Sequence, residues 1–246
     1  LKLENFEGKK TDVDLGVAMM GWSLVTIDSW LADKLSPEIR KKLAAECLRR
    51  VVAPYEKSLA GGSGLCWWRT SPHNWNAVCH AGVLGCALAL EPSREKRTKL
   101  LLSAEKDLRT YLAAFEPDGY CSEGLGYWNY GFSHYVALAE TVHRQTGGAL
   151  DWFQLPGVQL AALYPRKITL QPGVFPTFAD GVPGTKPDLF TQLLVANRLK
   201  NPNTGPGGAT GPFTWGPGLA YLVALQAFTP LDWQGGEDPL PERDEF

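Results

Sequence analysis

The sequence lacks most of the signatures by which a catalytic apparatus is usually recognised. It has no P-loop, no dinucleotide-binding glycine fingerprint, no HExxH and no G-x-S-x-G. Nucleotide-dependent chemistry, zincin-type hydrolysis and nucleophile-elbow hydrolysis therefore have no motif to rest on. None of the five cysteines forms a CxxC pair, which leaves a zinc cluster without ligands at the usual spacing. An odd number of cysteines at this density is also not a disulfide scaffold. Cys47, Cys79 and Cys86 fall in helical apolar runs and read as small buried hydrophobes. No apolar run is long enough to span a bilayer. Charge of one sign is missing too: 24 Lys and Arg stand against 26 Asp and Glu, for a net charge of −2. That balance disfavours double-stranded nucleic acid as a partner. It argues more weakly against a very highly sulfated ligand, since a local basic groove can hide in a neutral total. No segment sustains the period-2 alternation of a half-buried strand.

What is present is helical and aromatic. The 246 residues are 44% hydrophobic and include nine Trp and eight Tyr, enough for a sizeable core with aromatic rings left over as sugar-stacking platforms. Residues 14–34 are apolar on most sides. Ser36-Pro37-Glu38 is an N-cap followed by Pro at the first helical position, and the helix it opens is expected to end before Pro54. A Gly-, Ser- and Trp-rich loop over 56–73 precedes a helix at 75–90 capped by Asn74. An amphipathic helix follows at 94–114, then a Pro117-Asp118-Gly119 turn and a helix over 123–146 with Ser122 as cap. Residues 151–164 are expected to be helical with a break at Pro156-Gly157. A loop over 165–187 and helices at 187–199 and 217–228 complete the pattern. About eight helices in successive hairpins predict an all-α fold, and paired helices circling a cleft, an α/α toroid, fit the aromatic loops. Residues 1–232 form that domain. The polar, Pro-rich 233–246 reads as a linker, and the start at Leu1 reads as that of a processed or excised piece.

Two polar clusters interrupt the apolar helices. Asn76 and His80 are four apart, hence on one helix face near its N-terminus, where donors and the helix dipole favour an anionic group. A plainer arrangement fits the same spacing: Asn74 caps, Asn76 satisfies a loop carbonyl and His80 is a hydrogen-bonded core residue. Glu123, Tyr127, Tyr130 and His134 share a second face. A phenol acts as base only where positive charge or hydrogen bonds favour the phenolate, which His134 or an arginine would have to supply. The alternative is an aromatic core stripe with satisfied tips. Arg69 and His73, in the loop before the first cluster, are candidate contacts to an acidic substrate. Asp180 reads as a helix cap or a hydroxyl ligand.

NWNAVCHAG, followed some forty residues later by PDGYCSEGLGYWNYG, resembles the heparinase II/III-like and alginate lyase superfamily. LSPEIRKKL and FPTFADG are similar to that superfamily's lead-in and later loop. The resemblance implies an α/α toroid normally followed by a β-sandwich, which nothing after Phe246 remains to form. It implies β-elimination on a uronic-acid polysaccharide, without cofactor or metal. By that resemblance Asn76 neutralises the uronate carboxylate, and Tyr127 acts as acid and base, with Tyr130 its nearest competitor. His80 or His73 assists at the carboxylate or as second base, and Glu123 positions the helix start. Arg69, His73, Trp75, Glu123, Trp128 and His134 make up the substrate-binding set. The expected partner is an acidic polysaccharide or oligosaccharide, with no nucleic acid or membrane, and the expected location is periplasmic or extracellular. A toroidal glycoside hydrolase, drawing two carboxylates from Asp118, Glu123 and Asp180, and a non-catalytic carbohydrate-binding domain are the competing readings.

Overall fold

A computed structural model describes residues 3–4, 10–31, 33–62 and 66–206. The expected helix at 217–228 and the 233–246 linker lie outside them. Among the described residues the chain is mostly helical, with one antiparallel pair of two-residue strands, β1 (Leu3–Glu4) and β2 (Lys10–Thr11).

Among the described residues the central element is α4 (Asn74–Leu90). Every residue from Asn76 to Ala87 is buried, so the helix has no solvent face. Its alanines, glycines and cysteines let neighbours approach closely. A Cβ on Gly82 would lie 2.3 Å from the Ala18 carbonyl oxygen, and one on Gly85 would lie 2.4 Å from the Trp22 ring. Both contacts belong to α1 (Leu15–Trp30), which packs against α4 nearly backbone to backbone. Asp14 caps α1 by accepting from the Val17 N–H at 2.7 Å. Also packed on α4 are α5 (Arg94–Ala113), which follows a three-residue connection, and α7 (Ser133–Gln145).

Two helices run through points where the sequence predicts a stop or a simple turn. Ser36 and Pro37 open α2 (Pro37–Cys47) as expected. The chain then passes through a π-helical turn at Leu48–Val52 and continues as α3 (Ala53–Leu59), past Pro54. A proline ring collides with the carbonyl four residues back, and the wider π turn immediately before it makes room. Pro165 likewise lies inside α8 (Val158–Lys167). Its missing N–H frees the Ala161 carbonyl, which the Trp128 indole fills at 2.7 Å. The predicted helix over 151–164 is a 3-10 turn at Trp152–Gln154 followed by α8. The cap of α4 is His73 rather than Asn74, and α6 (Gly124–Tyr127) begins after Glu123 rather than after Ser122. A second π turn, Trp128–Phe132, joins α6 to α7. Asp188 caps the last described helix, α9 (Leu189–Leu199).

All five cysteines are buried and free, as expected of Cys47, Cys79 and Cys86. No helix among the described residues is long and apolar enough to cross a membrane.

Candidate functional site

The two sequence motifs meet through Asn74 and Glu123. Glu123 accepts from the Asn74 backbone N–H at 3.0 Å and from the Asn74 side-chain amide at 2.7 Å. The anion at the N-terminus of α4 is therefore the protein's own Glu123, seated where the dipole and free N–H groups favour a carboxylate. It ties α4 to the start of α6 across 49 residues.

Asn76 and His80 are corrected from site residues to a buried brace. Asn76 is fully buried, and its amide N–H groups are shared among the carbonyls of Arg69, Ser71 and Asp107 at 2.9–3.1 Å. With the nitrogen so placed, its Oδ1 faces the His80 ring at 2.9 Å, and its backbone carbonyl does so at 2.8 Å. Both are acceptors, so His80 Nδ1 carries the hydrogen. His80 stands edge-on to Trp68 and Tyr55. Burial lowers its pKa against the pull of Asp107, whose carboxylate is 3.7 Å from Nε2. Arg69 donates to Asp107 at 2.6 Å and to Ser58 at 3.1 Å, and lies over the Tyr55 ring. This cluster pins the long loop before α4 onto α5. No member of it is placed to grip a sugar.

Two more candidates, Trp128 and His134, belong to the core, and a third, Tyr130, is half-buried. Trp128 is fully buried with its indole on Ala161. His134 is buried, its Nδ1 2.6 Å from the Tyr130 carbonyl, and burial lowers its pKa to about 4. It is neutral at physiological pH and supplies no positive charge to a phenolate. Tyr130 turns its hydroxyl to Met19 at 3.0 Å, and burial pushes its pKa up to about 12. Trp75 is half-buried against Trp67, with ring centroids 5.1 Å apart.

Tyr127 is different. Its half-exposed ring lines a niche with Pro72, Tyr111, Phe115, Tyr120 and Glu123. The interior, about 10 Å³, holds no more than one water. His73, half-exposed and next to Pro72, makes no side-chain capping bond. The Asp180 carboxylate is near enough to the Tyr127 phenol to bear on its titration. Partial burial first, then Asp180 and Glu123, raise the phenol pKa above its ordinary 10. That direction keeps the proton on oxygen and suits a donor, not a resting phenolate base.

Asp180, which the sequence offers as a helix cap or a hydroxyl ligand, bears on Tyr127. It sits in the turn Phe178–Gly181, closed by a Gly181 N–H to Phe178 carbonyl bond at 3.0 Å. Ala179 precedes it at φ +50°, a left-handed conformation uncommon for a residue with a side chain. Phe178 stacks on the half-exposed Tyr120 at 5.8 Å. Gly124, at φ +82°, lets the Phe178 carbonyl come within 3.0 Å of where a Cβ would stand. The one signal for this assembly in the sequence is FADG itself, a short acidic turn beside an aromatic ring.

Among the described residues no group of three His, Cys, Asp or Glu is placed to hold a metal ion. No family model matches this chain, and no curated protein matches it.

Proposed function

We propose that this chain is the helical, toroidal part of a polysaccharide lyase that cleaves a uronic-acid polysaccharide by β-elimination, with Tyr127 as its proton donor. The observation that carries this reading is the position of Tyr127: a protonated phenol at the surface, held beside Asp180 and next to the aromatic pair Tyr120–Phe178. Aromatic faces bind sugar rings, and a phenol with a raised pKa delivers its proton only to a strongly basic departing oxygen.

The roles within the reaction change accordingly. His73, at the rim, takes the C5 proton; imidazole is the side chain used most often as a base near neutral pH. The C5–H electrons form the C4–C5 double bond, the C4–O4 bond breaks, and O4 takes the Tyr127 proton. The imidazolium then returns its proton to the phenolate through solvent, which closes the cycle without a cofactor. Asp180 orients the phenol. Asn76 has no part in this scheme, and Tyr127 takes precedence over Tyr130, which faces Met19. The ring of helical hairpins, a β-sandwich partner domain and an extracellular or periplasmic setting belong to the same proposal.

One observation favours a second reading. Two carboxylates, Glu123 and Asp180, both act on Tyr127, and a glycoside hydrolase needs two. Against it, both Glu123 oxygens are occupied by Asn74, which leaves no free oxygen for acid catalysis. Products separate the readings. Elimination gives an ultraviolet-absorbing unsaturated uronate, whereas hydrolysis gives reducing ends that do not absorb. Tyr127→Phe is expected to fold normally and to lose about 100-fold or more in rate, the usual contribution of a general acid.

A further inference from the structure

Two residues beyond Tyr127, on the π turn, Asn129 grips a different chain segment with both ends of its amide. Its Nδ2 donates to the Lys186 carbonyl at 2.8 Å, and its Oδ1 accepts from the Asp188 N–H at 2.8 Å. This is backbone recognition of the kind one strand gives another, supplied by a single side chain. Asp188 in turn caps α9 through Thr191 at 2.7 Å, so the far end of the 168–188 connection is fixed in place. The near side of the same connection is held at Tyr120 by the Phe178 stack and at Gly124 by close backbone approach. Positions 120, 124, 127 and 129 thus form a row along which the connection is laid, with Asp180 in the middle.

We infer that Asn129 is a positioning residue: by clamping residues 186–188 it holds the turn that presents Asp180 to the Tyr127 phenol. The inference rests on the proposed role of Tyr127. Asn129 lies on the π turn Trp128–Phe132, a local widening of the helix that recurs at functional sites. Without the clamp, the left-handed Ala179 turn has less to hold it, since such backbone strain persists only where its surroundings enforce it.

The test reads the phenol directly. Tyrosines in the intact chain are labelled with 13C at Cζ and titrated by NMR, with the Tyr127 signal assigned by its absence in Tyr127→Phe. Wild-type Tyr127 is expected to titrate above the ordinary 10, and Asp180→Asn to lower it part of the way, since burial and Glu123 remain. Asn129→Ala should move it most of the way to the Asp180→Asn value and lower kcat about 10- to 100-fold, with KM little changed. If Asn129→Ala does not fold, Asn129→Ser, too short to span both partners, serves in its place. An Asn129 variant in which Tyr127 titrates as in wild type overturns the inference. So does an Asp180→Asn variant that leaves Tyr127 unmoved. Because the titration needs no substrate, a shift without any unsaturated product supports the clamp while refuting the lyase assignment.

Discussion

Asn76 and Tyr127 show at the residue scale how little spacing says about direction. Both stand on helices at plausible intervals from other polar groups, yet one is sealed in the core and the other reaches the surface. The period of a helix reports which residues share a face. It cannot report that α4 has no outward face at all, because that depends on the helices around it. Replacing Asn76 by Ala is expected to cost about 3 kcal/mol, since three buried carbonyls lose their donor. Chemical denaturation checks this, and the folded variant should keep its rate constant. His134 gives a pH dependence whose sign follows from its pKa of about 4 in the fold against 6.5 ordinarily. Between those values the unfolded chain holds a proton that the native state does not. Stability is therefore fully present above about pH 6.5 and falls as pH drops toward 4, by an amount on the order of 3 kcal/mol. His80, lowered in the same direction, adds to the slope. Melting followed across this range should show a shallower fall in His134→Phe than in wild type.

At the scale of elements, most helices were legible and their interruptions were not. Ser36-Pro37 named the start of α2, and the all-apolar stretch named α1, because capping and burial are local in sequence. Pro54 and Pro165 read as stops because a proline penalises its own helix. The structure keeps both helices by compensation: a π turn in one, and an indole from a distant helix in the other. A sequence read locally cannot foresee a donor that arrives from Trp128. The Asn74–Glu123 clamp was also illegible, although both residues had been singled out, because nothing in either motif says that it contacts the other. Glu140 performs a comparable task between α7 and α9. Buried in α7, it accepts from Arg144 at 2.6 Å and from Arg198 of α9 at 2.5 and 2.7 Å. These guanidinium groups hold its carboxyl below the usual range against burial. Glu140→Ala removes the buried carboxylate that holds Arg198 of α9 and is expected to cost about 3 kcal/mol. A drop in melting temperature, with slow amide exchange lost first in α9, would report it.

The whole molecule is organised around one inaccessible helix, with its candidate chemistry at the rim where α4, α6 and the 168–188 connection come together. The all-α class was readable from the absence of alternation and the run of caps. The niche was not, since it is assembled from residues 72, 111, 115, 120, 123 and 127 on separate segments. Its small interior and its carboxylates bear on the kind of ligand it takes. On the proposed reading a sugar rests across Tyr120 and Tyr127 and does not sink between them, and Glu123 and Asp180 disfavour dense negative charge. The decisive measurement is ultraviolet absorbance of the unsaturated uronate during incubation with alginate, hyaluronan, glucuronan and heparan sulfate. It is made for the chain and for the product of its complete gene, each as wild type and as Tyr127→Phe. Absorbance that rises with at least one uronan and is lost in the variant is the expected result. Cleavage without absorbance, or absorbance that persists undiminished without the Tyr127 hydroxyl, would contradict it.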